Sequence, residues 1–126
     1  MAHSFKPRIM YIENKGGGFV EMYGQVIPEP EGGELTGPAT IGRVTFNRTG
    51  KTLFYKGKSF SRSEGFKSNY VCVETGECYW ISGPKKRGGD ALYATNITTK
   101  IDDDVREEYW IKIRNSPDRV KETETL

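Results

Sequence analysis

Two glycine-marked turns, each between runs of strand-forming residues, constrain the fold of this chain more than any other feature. The first is the segment NRTGK, residues 47–51, within the strand-rich stretch 39–57. Gly50 supplies the positive φ of a type I turn followed by a bulge, so the stretch is typical of a β-hairpin. The corresponding register places Phe46 opposite Thr52.

The second turn is Thr75-Gly76, within VCVETGECYWIS at residues 71–82, and Gly76 is its structural glycine. The same register as in the first hairpin places Cys72 opposite Cys78. The first residues of the chain contain no apolar export signal, so we expect a reducing cytoplasm and free thiols. A redox pair is the alternative interpretation of the two cysteines.

Three further strands are predicted over 7–13, 19–27 and 91–101, because these segments are rich in β-branched and aromatic residues. The glycines within 15–18 are predicted to end the first of them. The segment 28–38 is rich in Pro, Gly and Glu and lacks any buried periodicity. We therefore predict a flexible loop there.

The stretch DDDVREEYWIKIRN, residues 102–115, has the pattern of a helix. Its apolar side chains recur at helical spacing: Val105, Tyr109 and Ile113, with Trp110 beside them. Asp102 or Asp103 is predicted to cap the first turn, where the helix dipole favours acidic side chains. Pro117 is expected to end the helix, and the polar tail over 117–126 is expected to fray.

Many short strands followed by one helix predict an α+β, mostly β fold. We expect a single domain over 1–126, with five to seven short strands in a small antiparallel sheet or barrel and one C-terminal helix. A chain of 126 residues has the length of one domain. No run of about 18 apolar residues occurs, so no membrane partner is predicted.

Residues that catalyse reactions or bind metals are scarce. The single histidine, His3, lies near the N-terminus, which disfavours Ser-His-Asp and Cys-His catalysis. His3, Cys72 and Cys78 lack the spacing of a zinc site, and no glycine-rich phosphate motif follows a strand. Glu74 and Glu77 lie on a predicted exposed turn, where burial does not tune a pKa. We therefore predict no catalytic residue, no metal and no cofactor.

Positive charge is concentrated in the middle of the chain. Residues 41–101 hold eleven Lys and Arg against four Asp and Glu, whereas 1–40 and 102–126 are net negative. Within 51–70 the cations alternate with aromatic residues, a combination typical of single-stranded nucleic-acid binding. The candidate nucleic-acid or phosphate ligands in this segment are Lys56, Lys58 and Arg62.

A second candidate phosphate site is the loop GPKKRGG at 83–89, where Lys85, Lys86 and Arg87 lie between glycines. Backbone N–H groups and three cations in such a loop suit an anion. The alternative is structural, because alternate aromatic residues build a core, lysines point to water and glycines shape exposed loops. The net charge of +2 is also lower than that of a dedicated DNA-binding domain.

Three motifs carry a resemblance to a known family: IGRVTFNRTGKTL at 41–53, ETGECYWISGPKK at 74–86 and IDDDVREEYW at 101–110. In these motifs the chain resembles a family of small, stand-alone bacterial proteins for which no activity is established. The similarity extends over residues 8–117. The resemblance implies a bacterial, cytoplasmic protein, and it implies no catalytic or binding residue.

The function predicted from these patterns is non-enzymatic binding. A protein-interaction module with an unidentified protein partner is the leading hypothesis, because a small β domain offers sheet edges and exposed aromatic residues for docking. Nucleic-acid or phosphate binding through 85–87 and 51–70 is the first alternative. An immunity or antitoxin-like inhibitor is the second. The sequence leaves the oligomeric state open.

Overall fold

The strand-forming segments build nine strands in the part of the chain that the computed structural model describes, namely residues 6–22, 25–29, 39–65, 68–86, 90 and 98–125. In chain order they are β1 (Arg8–Met22), β2 (Gln25–Glu29), β3 (Ala39–Phe46), β4 (Thr52–Tyr55), β5 (Lys58–Gly65), β6 (Ser68–Cys72), β7 (Glu77–Ser82), β8 (Thr99–Ile101) and β9 (Glu124–Thr125).

Six of these strands close into an antiparallel barrel. Consecutive strands pair from β3 through to β7, and β1 closes the barrel by pairing with both β7 and β3. Because of this closure, each of the six strands has a pairing neighbour on both sides. A barrel without an open edge strand is protected from edge-to-edge aggregation. The predicted α+β, mostly β fold is confirmed.

The three remaining strands extend the sheet outside the barrel. The second half of β1 forms a hairpin with β2, in which Met22 pairs with Gln25. β8 runs parallel to β3 and pairs on its other side with β9. The expectation of a frayed tail is therefore wrong over 117–125, because Thr125 is buried and pairs with Thr99.

The glycines within 15–18 bend β1 without ending it, contrary to the prediction. The register against β7 shifts between Asn14 and Gly16, and Gly16 adopts a φ of +83°. A bulge of this kind re-aims a strand while preserving its pairing on both sides. Of the predicted flexible loop 28–38, the first two residues belong to β2 and the others lie outside the described residues, as do 91–97 of the predicted strand 91–101.

The first predicted hairpin is present, with its register shifted by one residue. Gly50 has a φ of +76°, as the turn requires, but Phe46 pairs with Leu53 and not with Thr52. The cause is Asn47. Its backbone N–H donates to the Thr52 carbonyl at 2.9 Å, and its side-chain oxygen accepts the Thr52 N–H at 3.1 Å. Asn47 and Thr52 thus form the closing pair.

The second hairpin shows the same shift of one residue. Val71 pairs with Cys78, so Cys72 is not opposite Cys78 as predicted. Cys72 points into the barrel and Cys78 lies on the other face of the sheet, because side chains alternate along a strand. Neither thiol forms a disulfide within the described part of the chain.

Gly76 has a φ of +75°, a conformation that β-branched residues resist. We expect Gly76→Val to lower the free energy of unfolding by about 1 kcal/mol or more. Gly76→Asn is the matched control, because asparagine tolerates positive φ and should cost less. Urea unfolding monitored by circular dichroism measures both. Equal stability of the two variants would contradict the assignment of strain to this turn.

Inward-facing side chains of the six barrel strands form one apolar core. Its buried members are Met10, Ile12, Val44, Leu53, Phe60, Tyr70, Cys72, Tyr79 and Ile81. They come from alternate positions on each strand, as the period of two for a pleated strand requires. The middle of the barrel is therefore filled.

A second core covers the outer face of β1 and β3. It contains Ile9, Tyr11, Ala39, Ile41, Ile101, Val105, Tyr109 and Trp110. The last three come from the C-terminal helical segment, so the face predicted at helical spacing is the face that packs on the barrel. The segment comprises α1 (Arg106–Glu108) and a π-helical turn, Tyr109–Ile113.

The predicted capping of the helix by Asp102 or Asp103 is wrong. The N-cap residue is Val105, and no side chain hydrogen-bonds the first turn. Asp102 instead accepts hydrogen bonds from Tyr55 and Lys56, and Asp103 pairs with Arg106 at 3.0 Å. None of the helices within the described residues is long and apolar enough to cross a membrane.

Candidate functional site: the barrel mouth

At one end of the barrel the inward-facing side chains leave a cavity of about 180 Å³. We call this cavity the barrel mouth. Its lining residues are Ile12, Asn14, Thr40, Tyr55, Lys56, Lys58, Phe60 and Tyr79. All except the turn residue Lys56 occupy inward-facing strand positions, so the cavity is an extension of the barrel interior towards solvent.

The floor of the barrel mouth is apolar. Ile12 and Phe60 are both buried, and the Phe60 ring meets the Tyr79 ring edge-to-face with centroids 4.8 Å apart. Burial raises the pKa of Tyr79, with the nearby carboxylate of Glu77 adding to the shift. The Tyr79 phenol therefore stays neutral and keeps a proton for hydrogen bonding.

Asn14 forms one polar wall of the mouth. Its amide nitrogen donates to Glu77 Oε2 at 2.8 Å and lies 3.3 Å from the Tyr79 hydroxyl. Its side-chain oxygen accepts the Gly16 N–H at 2.6 Å, across the bulge in β1. The bulge thus fixes Asn14, and Asn14 in turn holds Glu77 and Tyr79 at the rim.

The turn between β4 and β5 carries the lysines of the rim. Its two central residues both have positive φ, +47° at Lys56 and +78° at Gly57, which is the pattern of a type I′ turn. Asparagine, aspartate or glycine normally occupies the first of these positions, and a lysine there is uncommon. Residues held in such sparsely populated backbone conformations cluster at functional sites.

Lys56 and Tyr55 are both held by Asp102. The Lys56 ammonium lies 3.0 Å from Asp102 Oδ1, and the Tyr55 hydroxyl donates to Oδ2 at 2.5 Å. Burial and this hydrogen bond raise the pKa of Tyr55 above its usual range. Gly42 makes room for the arrangement, because a Cβ atom there would lie 2.5 Å from Tyr55 Cε1. Tyr55 is therefore a fixed wall of the mouth.

Lys58 differs from Lys56 in its partners. None of the ion pairs within the described residues involves Lys58, and its side chain is exposed at the rim. The carboxylate of Asp102 offsets Lys56, and the carboxylate of Glu77 is held by the Asn14 amide. Lys58 is thus the cation of the mouth that has no carboxylate of its own among the described residues.

The mouth lies beside the turn between β6 and β7. Ser59, the residue after Lys58, donates its N–H to Glu74 Oε1 at 2.7 Å and accepts the Val73 N–H at 2.8 Å. The hydrogen bond from the Ser59 N–H is the main cause of the lowered pKa of Glu74. The mouth is therefore at the end of the barrel where β7 begins.

The loop after β7 lies at the other end. β7 runs from Glu77, paired with Gly17, to Ser82, paired with Tyr11, and Lys85 and Lys86 follow it. A strand of this length extends about 17 Å. The structure therefore separates Lys85 and Lys86 from Lys56 and Lys58, which the sequence combined into one binding hypothesis. Arg87 lies outside the described residues.

The described part of the loop 83–89 is anchored by a carboxylate of the protein itself. The Lys85 N–H donates to Asp90 Oδ1 at 2.6 Å. That donor is therefore already occupied and is not open to a phosphate. The side chains of Lys85 and Lys86 remain exposed, as solvated loop residues would be.

Arg62 contacts an aromatic ring and does not line the mouth. Its guanidinium carbon lies 5.3 Å from the centroid of Tyr70, the residue that pairs with it across β5 and β6. This is a cation–π distance. Of the three candidates in the basic-aromatic segment, only Lys56 and Lys58 come together.

No family model, curated protein or solved structure matches this chain. Within the described residues, no group of three or more His, Cys, Asp or Glu side chains is placed to hold a metal ion.

Sequence reasoning missed most of the walls of the mouth. Asn14, Thr40 and Tyr79 come from three separate strands, and only the closure of β1 on β3 and β7 brings them together. The available signal was the spacing of Ile12 and Asn14 on β1. Residues two apart share one face of a strand, so this spacing places a polar residue on the inward face.

Two buried carboxylates elsewhere were also missed. Glu13 is fully buried on the outer face of β1, where Tyr11 donates a hydrogen bond to it and the Lys15 ammonium lies 2.5 Å away. Burial and this hydrogen bond raise the pKa of Tyr11 above its usual range. The cluster is closed and belongs to the packing of β1.

Asp90 is the second buried carboxylate. Its Oδ2 accepts hydrogen bonds from Tyr109 at 2.7 Å and from Arg114 at 2.9 Å, while its Oδ1 accepts the Lys85 N–H. Arg114 also donates to the Tyr109 hydroxyl at 2.8 Å. These bonds tie the loop after β7 to the C-terminal helix.

Proposed function

We propose that this chain is a non-enzymatic binding protein that takes an anionic group, of the phosphate class, at the barrel mouth. The observation that carries the proposal is Lys58, an exposed ammonium without a protein carboxylate among the described residues, at the rim of a cavity with hydroxyl and amide groups. A concave, largely apolar site with a few convergent polar groups is the usual form of a ligand pocket.

The strained turn supports the same proposal. Lys56 occupies a position with a φ of +47°, where asparagine or glycine would cost less. Its ammonium forms an exposed ion pair with Asp102, and exposed ion pairs contribute little to stability. The presence of lysine at this position is therefore better explained by a ligand than by folding.

The separation of the two basic segments favours a small ligand over a long nucleic acid. Lys85 and Lys86 lie at the opposite end of β7 from the mouth, so the two segments do not form one basic groove. Single-stranded nucleic-acid binders present a continuous positive groove with stacked aromatic rings. We therefore retain phosphate binding, the alternative function predicted from the sequence, and limit its site to the barrel mouth.

The proposal is tested by titrating the protein with sodium phosphate and methyl phosphate, monitored by amide chemical shifts. We expect shifts at the mouth and a loss of affinity of about tenfold in Lys58→Met, because one charge-assisted hydrogen bond to an anion is worth roughly 1.5–3 kcal/mol. Affinity should also fall as salt is raised. The matched control is the double variant Lys85→Met, Lys86→Met.

Two outcomes would contradict the proposal. The first is binding that is unchanged in Lys58→Met. The second is binding lost in the double variant at 85 and 86, which would assign the anion to the loop after β7.

A protein-interaction surface is the second candidate function. Phe54 and Val73 are 39% and 58% exposed. They flank Ser59 on the outer face of the barrel, since Phe54 pairs with Ser59 and the Val73 N–H donates to the Ser59 carbonyl. Two exposed apolar side chains beside a hydroxyl suit a partner surface better than solvent. We also propose a bacterial, cytoplasmic setting, which rests on the sequence resemblance.

A further inference from the structure

We infer that the ligand of the barrel mouth is a single planar ring that carries one terminal anion, with the ring inside the barrel and the anion at Lys58. The inference rests on the proposed function and extends it from the anionic group to the whole ligand. A ring phosphate and a ring carboxylate share this chemistry, and the experiment below separates them.

The distribution of polarity with depth sets the orientation of the ligand. Ile12 and Phe60, at the bottom, are 4% and 1% exposed, whereas Lys56 and Lys58 are exposed at the rim. A charged group driven to the floor would lose its hydration and meet no partner. The apolar part of the ligand therefore points inward and its charge points outward.

The volume of the mouth limits the size of the ligand. A cavity of about 180 Å³ has the volume of roughly six waters, at about 30 Å³ for each water. Pockets for drug-sized ligands measure about 300–1,000 Å³. One six-membered ring fills the mouth, and a fused or multi-ring ligand would leave part of itself in solvent.

The aromatic side chains of the mouth favour a planar ring over a ring that is merely apolar. Tyr55 and Tyr79 stand at the walls, and Tyr79 is already packed edge-to-face on Phe60, with an interplanar angle of 74°. Aromatic pairs in such arrangements gain about 0.5–1.5 kcal/mol beyond the area they bury. A flat ring therefore gains more than a saturated ring of the same size.

The hydrogen-bonding groups of the rim complete the match. The Tyr79 hydroxyl accepts a hydrogen bond from the Asn14 amide at 3.3 Å and keeps its own proton to donate, and Lys58 lines the same cavity. An anion attached directly to the ring is within the span of these groups. A long linker would carry the anion past Lys58 and into solvent.

The experiment compares five ligands on the full chain by titration calorimetry and amide shifts: phosphate, methyl phosphate, phenyl phosphate, benzoate and phenol. We expect phenyl phosphate to bind at least about tenfold more tightly than methyl phosphate, with phenol weaker than either. If phenyl phosphate binds more tightly than benzoate, the ligand is a ring phosphate. The reverse order of affinities assigns a ring carboxylate.

Two further measurements locate the ring. Nuclear Overhauser effects are expected between the phenyl protons and the Ile12 methyl groups. This measurement uses the wild-type protein and needs no variant. Ile12→Phe, which fills the floor, should abolish the advantage of phenyl over methyl phosphate. Its fold is checked by near-ultraviolet circular dichroism, and the Overhauser data decide the question if the variant does not fold.

The outcomes that overturn the inference differ from those that overturn the proposed function. Equal affinities for methyl and phenyl phosphate, or Overhauser effects that reach Phe54 but not Ile12, overturn the inference and leave anion binding intact. If phenol binds as tightly as phenyl phosphate, the role of the anion is overturned. No binding by any of the five overturns both.

Discussion

Replacing Asp90 by alanine is expected to lower the free energy of unfolding by about 3–5 kcal/mol, because removing one partner of a buried ion pair leaves the other buried and uncompensated. Asp90 is 1% exposed and accepts hydrogen bonds from Tyr109, Arg114 and the backbone of Lys85. All three donors lose their acceptor in the variant. Urea unfolding monitored by tryptophan fluorescence measures the loss.

Two comparisons show whether the loss comes from the uncompensated charge. Lys86→Ala changes an exposed residue in the same loop and should stay within about 0.5 kcal/mol of the wild type. Asp90→Ala combined with Arg114→Met removes the orphaned guanidinium and should recover part of the stability. If the double variant loses as much stability as Asp90→Ala and Arg114→Met lose together, Asp90 and Arg114 act independently and the uncompensated charge is not the cause.

The local turns and the packed face of the helix were predictable because short-range chemistry determines them. Gly50 and Gly76 adopt the positive φ that their turns require, and Val105, Tyr109 and Trp110 are buried as their spacing predicts. The register of the first hairpin was not, because a single side chain decides it. Asn47 closes its turn through its own amide oxygen, and propensity does not encode that hydrogen bond.

The helix start shows how a tertiary contact overrides a local preference. Acidic residues before a helix usually cap it, and Asp102 has the right position in the sequence. Lys56 and the Tyr55 hydroxyl are 46 and 47 residues away in sequence, yet they take both oxygens of Asp102. The pairing of β3 with both β4 and β8 brings them together, and no local pattern reports the long-range pairing of β3 with β8.

The candidate site was half predictable for the same reason. Lys56 and Lys58 are close in sequence and were proposed together, and the structure places both at the barrel mouth. Lys85 and Lys86 were joined to them by charge alone, and the direction of β7 separates them. Charge composition identifies candidates, and strand order decides which of them share a surface.

The buried tyrosines are expected to make the protein unfold at alkaline pH. Tyr11 and Tyr109 are fully buried, and burial raises the pKa of each, with the hydrogen bonds to Glu13 and Asp90 adding to the shift. In the unfolded chain a tyrosine ionises near its ordinary pKa of about 10. Above that pH the unfolded state has lost protons that the folded state keeps, so stability falls as pH rises.

Each fully protected tyrosine should contribute a slope of about 1.4 kcal/mol per pH unit above pH 10, so the two together should cost about 3 kcal/mol by pH 11. Urea unfolding between pH 8 and 11.5 measures the slope. The double variant Tyr11→Phe, Tyr109→Phe starts from a lower stability, because Glu13 and Asp90 each lose a donor, but its slope should be flatter. Parallel pH profiles for the two proteins would show that these phenols ionise as readily in the folded state as in the unfolded chain.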